Sequence, residues 1–266
     1  MSELYLPYKN SRFHYTLEGN GNQLLVCLHG FGESAMHFKP LVHELGPQFT
    51  IIAIDMPLHG KTEWQEKRGF EKRDLAAILQ ELLTQYGFNR FSLLGYSMGG
   101  RLALCAVEKM ADKLDNLVMV AGDGLRNNPW HLFVTQTYIG NRIFKYNTYH
   151  PQFFFSLIKI WRKLGLLNES VYKFVLHRMD QPEKRRQVYE VWTILRHMMP
   201  NKKLCKQLLS RYNVNTLLIF GKYDRVIPPE LGKRFVDGSF PCKTVILEKG
   251  HQLISTQLGL VIKSNL

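Results

Sequence analysis

A serine in the segment 95–100, which reads GYSMGG, is the residue of this sequence best suited to chemistry. The apolar run Phe91–Leu94 precedes the segment and the helical periodicity of Met98–Met110 follows it, which predicts a strand, a tight turn and a helix. Small residues two positions before and after Ser97 let the strand and the helix pass close together, so the serine side chain projects from the turn. The helix N-terminus beside it stabilises negative charge. Ser97 is therefore predicted to be a nucleophile.

A nucleophilic serine needs a base to take its proton and an acid to orient that base. When the serine lies on a turn of this kind, the acid and then a histidine are expected later in the chain. Asp224 follows the apolar run Thr216–Phe220, and His251 follows Thr244–Leu247. Both residues are therefore expected at the carboxyl ends of strands, the edge at which sites form in open parallel sheets. His251 is also the only histidine after position 197.

The orienting acid has two candidates. Asp123 also follows a predicted strand, Asn116–Val120, and an aspartate beside Gly and Pro, such as Asp224, often only caps a turn. The order serine, acid, histidine favours Asp224 as the orienting acid and leaves Asp123 as the alternative.

The oxyanion formed by attack of a serine needs backbone N–H donors. One donor is the residue after the nucleophile, here Met98, and the second comes from the loop after an earlier strand. The run Leu24–Leu28 leads into residues 29–32, HGFG, and the flanking glycines make Phe31 the expected second donor. We expect His29 to hold this loop rather than act as the base, because it precedes the serine in the chain.

Short apolar runs rich in β-branched residues alternate with helical periodicity, a pattern typical of βαβ units and a parallel sheet. Continuous hydrophobicity predicts strands that are buried on both faces. The runs are Leu24–Leu28, Phe49–Ile54, Phe91–Leu94, Asn116–Val120, Thr216–Phe220 and Thr244–Leu247. Lys72–Tyr86 and Met98–Met110 have the spacing of amphipathic helices. At the start, Tyr5–Tyr8 and Arg12–Leu17 are predicted to form an antiparallel pair.

Residues 125–212 differ from the rest of the chain in charge and composition. They hold 16 Lys and Arg against 4 Asp and Glu, whereas residues 1–124 hold 12 against 14 and residues 213–266 hold 7 against 4. They also hold 15 of the 32 aromatic residues. Their periodicity is helical throughout, with breaks at Pro129, Pro151, Asn168, Pro182 and Pro200. We therefore predict an α/β core over residues 1–124 and 213–266, with an inserted all-helical cap over residues 125–212.

These features together resemble the α/β-hydrolase superfamily with a helical cap. The resemblance rests on HGFG at 29–32, DMPLHGKT at 55–62, GYSMGG at 95–100, Asp224 and the pair Gly250-His251. It implies a mostly parallel, doubly wound sheet and a serine hydrolase that needs no cofactor and no metal. In such an enzyme His251 deprotonates Ser97, the serine attacks the acyl carbon of an ester or thioester, and water releases the acyl group. Leu58 stands where members of the superfamily usually have glycine.

Two other functions stay open. The run from Gly95 to Arg101 also resembles the menaquinone-pathway SHCHC synthase branch, whose members eliminate pyruvate rather than hydrolyse an ester. That resemblance implies that Arg101 binds an anionic substrate. A non-catalytic ligand-binding member of the fold is the third possibility. A dehalogenase or epoxide hydrolase of this fold would carry Asp as the nucleophile, so Ser97 argues against both.

The net charge of +13 and the sequence pI of about 9.6 raise the question of an acidic partner. Because the excess lies in the predicted cap, it has three explanations. The cations form a solvated helix surface, or a positive rim that attracts an anionic acyl substrate, or a contact with an acidic membrane surface helped by Phe153–Phe155 and Trp161. No recognition motif accompanies the charge, so nucleic acid is not an expected partner.

The cysteines, the first residues and the lengths of the apolar runs predict the cellular location of the protein. The four cysteines have no C-x-x-C spacing, so we expect buried thiols rather than a zinc site or a disulfide framework. The first residues lack the apolar core of a signal peptide, and no apolar run approaches the ~18 residues of a membrane span. A folded, cytoplasmic protein is expected, and its oligomeric state is left open.

Overall fold

Two compact units make up the described part of the chain. The computed structural model describes residues 4–165 and 181–266. The first, called here the sheet unit, comprises Met1–Arg126 and His197–Leu266, and the second, the helical unit, comprises Asn127–Arg196. The predicted helix break at Asn168 lies outside the described residues.

An eight-stranded sheet forms the centre of the sheet unit. Its strands are β1 (Leu4–Tyr8), β2 (Ser11–Glu18), β3 (Gln23–Leu28), β4 (Phe49–Ile54), β5 (Phe91–Tyr96), β6 (Leu114–Val120), β7 (Asn215–Gly221) and β8 (Cys242–Leu247). They lie in the order β1-β2-β4-β3-β5-β6-β7-β8. The pairs β1 with β2 and β2 with β4 are antiparallel, and every later pair is parallel. The predicted mostly parallel sheet with an antiparallel pair at its start is confirmed.

Three α-helices follow one another through the first part of the chain. They are α1 (Val42–Leu45), α2 (Lys72–Gln85) and α3 (Met98–Met110), with a 3₁₀ helix at Ala35–Leu41. The buried positions of α2 recur at the spacing of one helix face, as predicted, and include Leu75, Ile78, Leu79, Leu82 and Leu83. Helix α3, which follows the central strand β5, is buried on nearly all sides.

The described part of the helical unit contains four helices: α4 (Pro129–Gln136), α5 (Tyr138–Tyr149), α6 (Pro151–Lys163) and α7 (Pro182–Ile194). Three of the predicted breaks, Pro129, Pro151 and Pro182, are the first residues of helices, where the missing N–H of proline costs no hydrogen bond. Asn128 and Thr137 cap the starts of α4 and α5 through their side chains. Within residues 4–165 and 181–266, no helix is both long enough and apolar enough to cross a membrane.

The division between the units differs from the predicted boundary at residue 212. Helices α8 (Lys202–Arg211), α9 (Glu230–Phe235) and α10 (Thr256–Lys263) all belong to the sheet unit. Helix α8 packs beside α3, where the Cys205 thiol donates to the Leu104 carbonyl at 3.3 Å and the Asn201 N–H donates to the Glu108 carboxylate at 2.6 Å. Charge places residues 197–212 with the basic segment, but packing places them with the sheet.

The central strands are buried on both faces, as their continuous hydrophobicity predicts. In β5 all six residues are buried, and in β3 all but the first are. The same prediction is wrong for β8, whose residues are all partly or fully exposed, Ile246 by 45%. The reason is its place at the edge of the sheet, where it pairs only with β7.

Glycines at the junction of β5 and α3 let three backbone segments meet. A Cβ added at Gly99 would lie 1.9 Å from the Leu28 carbonyl oxygen, and one at Gly95 would lie 2.4 Å from the Gly99 oxygen. A Cβ at Gly100 would lie 2.5 Å from the Cα of Gly122. Each of these contacts is with backbone that cannot rotate away. Only glycine therefore fits at these three positions.

We predict that Gly99→Ala destabilises the protein, because the added methyl group forces β3 and α3 apart. The free energy of unfolding, measured by urea titration, should fall by at least about 2 kcal/mol. Gly250→Ala is the matched control, because a Cβ there meets no atom within 4 Å. An unchanged unfolding free energy in Gly99→Ala would contradict the close approach described here.

Candidate active site

The turn between β5 and α3 holds Ser97 in a strained conformation. Its φ of 50° and ψ of −116° lie outside the regions that L-residues prefer, a cost on the order of 1–3 kcal/mol. Three backbone hydrogen bonds fix it there. The Ser97 N–H donates to the Val120 carbonyl at 3.0 Å, and the N–H groups of Gly100 and Asp123 donate to the Ser97 carbonyl at 2.9 and 2.8 Å. The backbone around the serine is thus tied to the ends of β6 and α3.

The structure brings three of the predicted residues into one hydrogen-bonded line. His251 Nε2 lies 3.0 Å from Ser97 Oγ, and His251 Nδ1 lies 2.7 Å from Asp224 Oδ2. Asp224 carries no proton to donate when ionised, so Nδ1–H is the donor of that bond and Nε2 is left to accept from the serine hydroxyl. This is the geometry in which a histidine can remove a proton from a serine.

Asp224 is held rigidly by its second carboxylate oxygen. Oδ1 accepts the N–H groups of Val226 and Ile227 at 2.8 and 2.9 Å, and the side chain is fully buried. Asp224 therefore caps the turn and also bonds to His251. One oxygen fixes the loop and the other faces the imidazole.

The alternative acid, Asp123, faces a different partner. Its carboxylate lies 3.7 Å from Arg101 Nε, and its backbone N–H is the one that donates to Ser97. The Arg101 side chain is only 7% exposed. Of the two candidate acids, Asp224 is the one that the structure brings to His251. Asp123, in the loop after β6, instead forms an ion pair with Arg101 of α3.

Tyr96 also contacts the site residues, which the sequence did not predict. Its hydroxyl donates toward the His251 carbonyl at 3.3 Å and toward Gln252 Oε1 at 3.1 Å, and its ring lies 5.6 Å from the His251 ring. The His37 ring also stacks on the Tyr96 ring, with a centroid distance of 5.1 Å. The tyrosine next to the serine thus contacts the loop that carries the histidine. The only sequence signal was its place inside the segment 95–100.

The loop after β3 lies against the serine. A Cβ added at Gly30 would lie 3.3 Å from Ser97 Cβ, so the Gly30 backbone is in direct contact with the site. His29 Nδ1 lies 2.7 Å from the Gly30 carbonyl oxygen, and His29 Nε2 accepts the Met56 N–H at 3.0 Å. The Gly30 carbonyl and the Phe31 N–H belong to one trans peptide and point in opposite directions. The Gly30 carbonyl also accepts the Glu33 N–H at 3.2 Å, so the ring of His29 helps to set the direction of the Phe31 N–H.

His29 can do this only as a neutral imidazole. Nδ1 must carry the proton to donate to a carbonyl, and Nε2 must lack one to accept from Met56. Burial, with the nearby His59 as a second cause, lowers the pKa of His29 to about 4. The expectation that His29 holds the loop agrees with these contacts.

Asp55 is a second buried residue that organises the loops at this edge. Its Oδ1 accepts the Ala35 N–H at 2.6 Å, and its Oδ2 accepts the Lys61 N–H at 2.8 Å and lies 2.7 Å from His14 Nδ1. A Cβ at Gly60 would fall 1.9 Å from Oδ2. Segment 55–62 is one of those that carry the family resemblance, but its residue types alone do not show that Asp55 holds these loops. Leu58, at the position usual for glycine, has a φ of +63°.

Metal ligation is not a feature of the described site. Within residues 4–165 and 181–266, no group of three or more His, Cys, Asp and Glu side chains is arranged to hold a metal ion. The chemistry that the site offers is that of its own groups. It has a hydroxyl, a base aligned on it, a buried carboxylate, and backbone N–H groups at the start of α3 that have no partner within the helix.

Comparisons with known proteins agree with the observed fold. Residues 23–148 match the family model described as the alpha/beta hydrolase fold. The uncharacterized hydrolase YugF of Bacillus subtilis (strain 168) is 28% identical over 238 residues, which cover 83% of this chain and 79% of that protein. The 2-hydroxy-6-oxononadienedioate/2-hydroxy-6-oxononatrienedioate hydrolase of Escherichia coli (strain K12) is 24% identical over 239 residues, which cover 86% of this chain and 81% of that protein.

Among solved structures, a thermophilic esterase from Thermogutta terrifontis with malate bound is similar in fold. It superposes with a TM-score of 0.69 at 18% identity, over 99% of this chain and 97% of that one. The order of the strands, the strained serine turn after β5 and the matched family model together show that this chain has the alpha/beta hydrolase fold.

Proposed function

We propose that the chain hydrolyses a carboxylic ester or thioester through an acyl-enzyme on Ser97. The observation that carries the proposal is the hydrogen-bonded line from Ser97 through His251 to Asp224, with distances of 3.0 and 2.7 Å. A serine, an imidazole aligned on it and a buried carboxylate are what acyl transfer by a hydroxyl requires.

In the first half-reaction His251 Nε2 takes the Ser97 proton as Oγ bonds to the acyl carbon. The carbonyl π electrons move to oxygen and form a tetrahedral oxyanion. Collapse of this intermediate breaks the bond to the leaving alcohol or thiol, which receives the proton from His251. Asp224 keeps the Nδ1–H of the imidazole oriented and stabilises its transient positive charge.

In the second half-reaction water takes the place of the leaving group. His251 removes a proton from that water, its oxygen bonds to the acyl carbon, and the bond to Ser97 Oγ breaks as the proton returns to the serine. The products are a carboxylic acid and the free enzyme. Backbone N–H groups of Met98 and Phe31 are proposed to hold the oxyanion in both halves; one such donor contributes on the order of 10²–10³ in kcat.

A dicarboxylate substrate is a second candidate. The Escherichia coli relative, which matches most of both chains, is named as the hydrolase of 2-hydroxy-6-oxononadienedioate and the corresponding trienedioate. Such compounds carry two carboxylates, and the net charge of +13 favours the approach of an anion. Hydrolysis of this substrate class should therefore be assayed beside the esters.

The other two functions have less support. Elimination of pyruvate would require Arg101 to bind an anionic substrate. The Arg101 guanidinium is nearly buried and faces Asp123 instead. A non-catalytic ligand-binding function would not require the serine, the imidazole and the carboxylate to be aligned at hydrogen-bond distances. We retain the hydrolase as the function that the geometry supports best.

Ser97→Ala should lower kcat/KM by at least about a thousandfold, because no other hydroxyl takes its place. The assay is a panel of p-nitrophenyl esters with neutral and anionic acyl groups of graded length, together with the dienedioate. A fluorophosphonate should label the wild type at Ser97, located by mass spectrometry, and should not label Ser97→Ala. A folded wild type that stays unlabelled and hydrolyses none of the substrates would exclude the acyl-enzyme.

Asp224→Asn should lower kcat/KM on the order of a thousandfold, since an amide no longer favours the His251 tautomer that accepts the serine proton. Asp123→Asn is the matched variant, because it removes the same negative charge from an aspartate that follows the neighbouring strand β6. It should change kcat/KM by no more than a few fold once its melting temperature shows that it is folded. The reverse ranking of the two variants would assign the orienting function to Asp123.

His29→Ala should lower kcat about tenfold to a hundredfold with little change in KM, because the Phe31 N–H is no longer directed at the oxyanion. His29→Asn should keep more activity, since its amide N–H replaces Nδ1 as the donor to the Gly30 carbonyl. Equal losses in both variants would mean that His29 does not act through this bond.

The pH dependence of stability tests whether His29 is neutral in the folded protein. The folded-state pKa of about 4 lies below the unfolded value of 6.5. Neutral His29 therefore contributes stability that is complete above about pH 6.5 and is lost as the pH falls through about 4. Urea titrations across this window should show a weaker pH dependence in His29→Asn than in the wild type.

A further inference from the structure

Helix α5 presents an apolar face to solvent. Its buried residues, Gly140, Phe144 and Thr148, lie on one side. At 3.6 residues per turn, the exposed residues occupy an arc of about 160° on the other side. Five of these are large and apolar: Tyr138, Ile139, Ile143, Tyr146 and Tyr149.

The degree of exposure shows that this face points outward. Tyr138 is 73% exposed, Ile139 67% and Tyr146 61%. A side chain that lines a cleft loses most of its accessible surface, and these have not. Single exposed apolar residues are ordinary on a protein surface, but five on one face of a twelve-residue helix indicate an interaction site.

The opposite face of α5 fixes this orientation. The Phe144 ring packs against Tyr189 and Trp192 at 5.3 and 5.6 Å. Asn141 Nδ2 donates to the Val134 carbonyl at 3.2 Å. These partners belong to α4 and α7, so the helix is held by both neighbours. The outward face cannot turn inward without breaking these contacts.

Helices α4, α5 and α6 carry charge of one sign, and on α7, which packs against α5, Glu190 is paired with Arg186. The sequence has no Asp or Glu between Asp123 and Glu169, a stretch that includes all of α4, α5 and α6. Two cations, Arg142 and Lys145, lie within the exposed arc of α5. Arg142 Nη1 donates to the Tyr138 hydroxyl at 2.6 Å. A partner for this face must therefore accept apolar side chains and carry negative charge.

The last turn of α6 and Leu164, the residue after it, also combine exposed apolar side chains with cations. Ile160, Trp161 and Leu164 are exposed there, by 51%, 38% and 65%, among Lys159, Arg162 and Lys163. Of the aromatic residues predicted for membrane contact, Trp161 is exposed here, whereas Phe154 and Phe155 are partly buried. The side chain of Phe153 lies outside the described residues.

We propose that the outward face of α5 binds the surface of a bilayer that contains anionic lipid. Tyrosine rings and isoleucines enter the boundary between headgroups and acyl chains, and the Arg142 and Lys145 side chains reach the lipid phosphates. Nucleic acid would satisfy the cations but leave Ile139 and Ile143 in water. The proposal concerns the helical unit alone and does not depend on the hydrolase activity.

The test is cosedimentation of the whole protein with vesicles of phosphatidylcholine alone and of an equal mixture with phosphatidylglycerol, at low and physiological ionic strength. Binding is expected only with phosphatidylglycerol, and it should weaken as salt rises. Ile139→Ser with Ile143→Ser should lower the partition coefficient about tenfold. Arg142→Gln with Lys145→Gln should lower it about fivefold per charge.

Matched controls change the same residue types in the sheet unit. Leu260→Ser removes an apolar side chain that is 52% exposed, and Lys203→Gln with Lys263→Gln removes two exposed charges. These controls should bind like the wild type, and circular dichroism should show native helix in every variant. No binding to either vesicle would overturn the proposal.

Two other outcomes would also overturn it. Binding that survives the isoleucine replacements would mean nonspecific adhesion of a cationic protein. A wild type that forms dimers without vesicles, with monomers in the isoleucine variant, would mean that the face joins two copies of this chain. Fluorophosphonate labelling of Ser97 serves as an independent readout, so a failure of the proposed function would leave the vesicle result unaffected.

Discussion

The contact between three backbone segments at the serine turn is the constraint on which the rest of the site depends. Gly99 brings the start of α3 against the end of β3, and Gly95 lets the last residues of β5 pass beneath the same helix. This approach leaves no room for a relaxed turn, so Ser97 takes a positive φ. Hydrogen bonds at the ends of the neighbouring elements hold that conformation. Packing at the centre of the sheet thereby stabilises the strained conformation of Ser97.

Buried polar side chains extend this rigidity to the loops around the serine. Asp224 uses one oxygen for backbone N–H groups and the other for His251. The two ring nitrogens of His29 bond to the Gly30 carbonyl and the Met56 N–H. The Asp55 carboxylate accepts the N–H groups of Ala35 and Lys61, which lie in two different loops. A buried polar group is stable only when its hydrogen bonds are made, so these bonds disfavour other arrangements of the loops. The site is therefore organised before any ligand arrives.

Much of the fold could be predicted from the sequence because its signals are local. Continuous apolar runs predicted the parallel strands, and GYSMGG between a strand and a helix predicted the serine turn. The approach of His251 to Ser97 required only chain order and the rule that strand ends share one edge. Other features depend on long-range packing, which a single sequence does not encode visibly. The Tyr96 hydroxyl on the His251 loop, the burial of Arg101 and the attachment of α8 to α3 are of this kind.

The strands that precede the nucleophile and the base differ in burial. Ser97 follows a fully buried central strand, whereas His251 follows an edge strand that pairs with one neighbour and is open to water along its length. Edge segments with few buried contacts open at lower free energy than the core does, in native-state hydrogen exchange and in proteolysis alike. Detachment of β8 would carry the imidazole away while the nucleophile stays in place. An opening of β8 from β7 would therefore remove the base from the site without disturbing the serine turn.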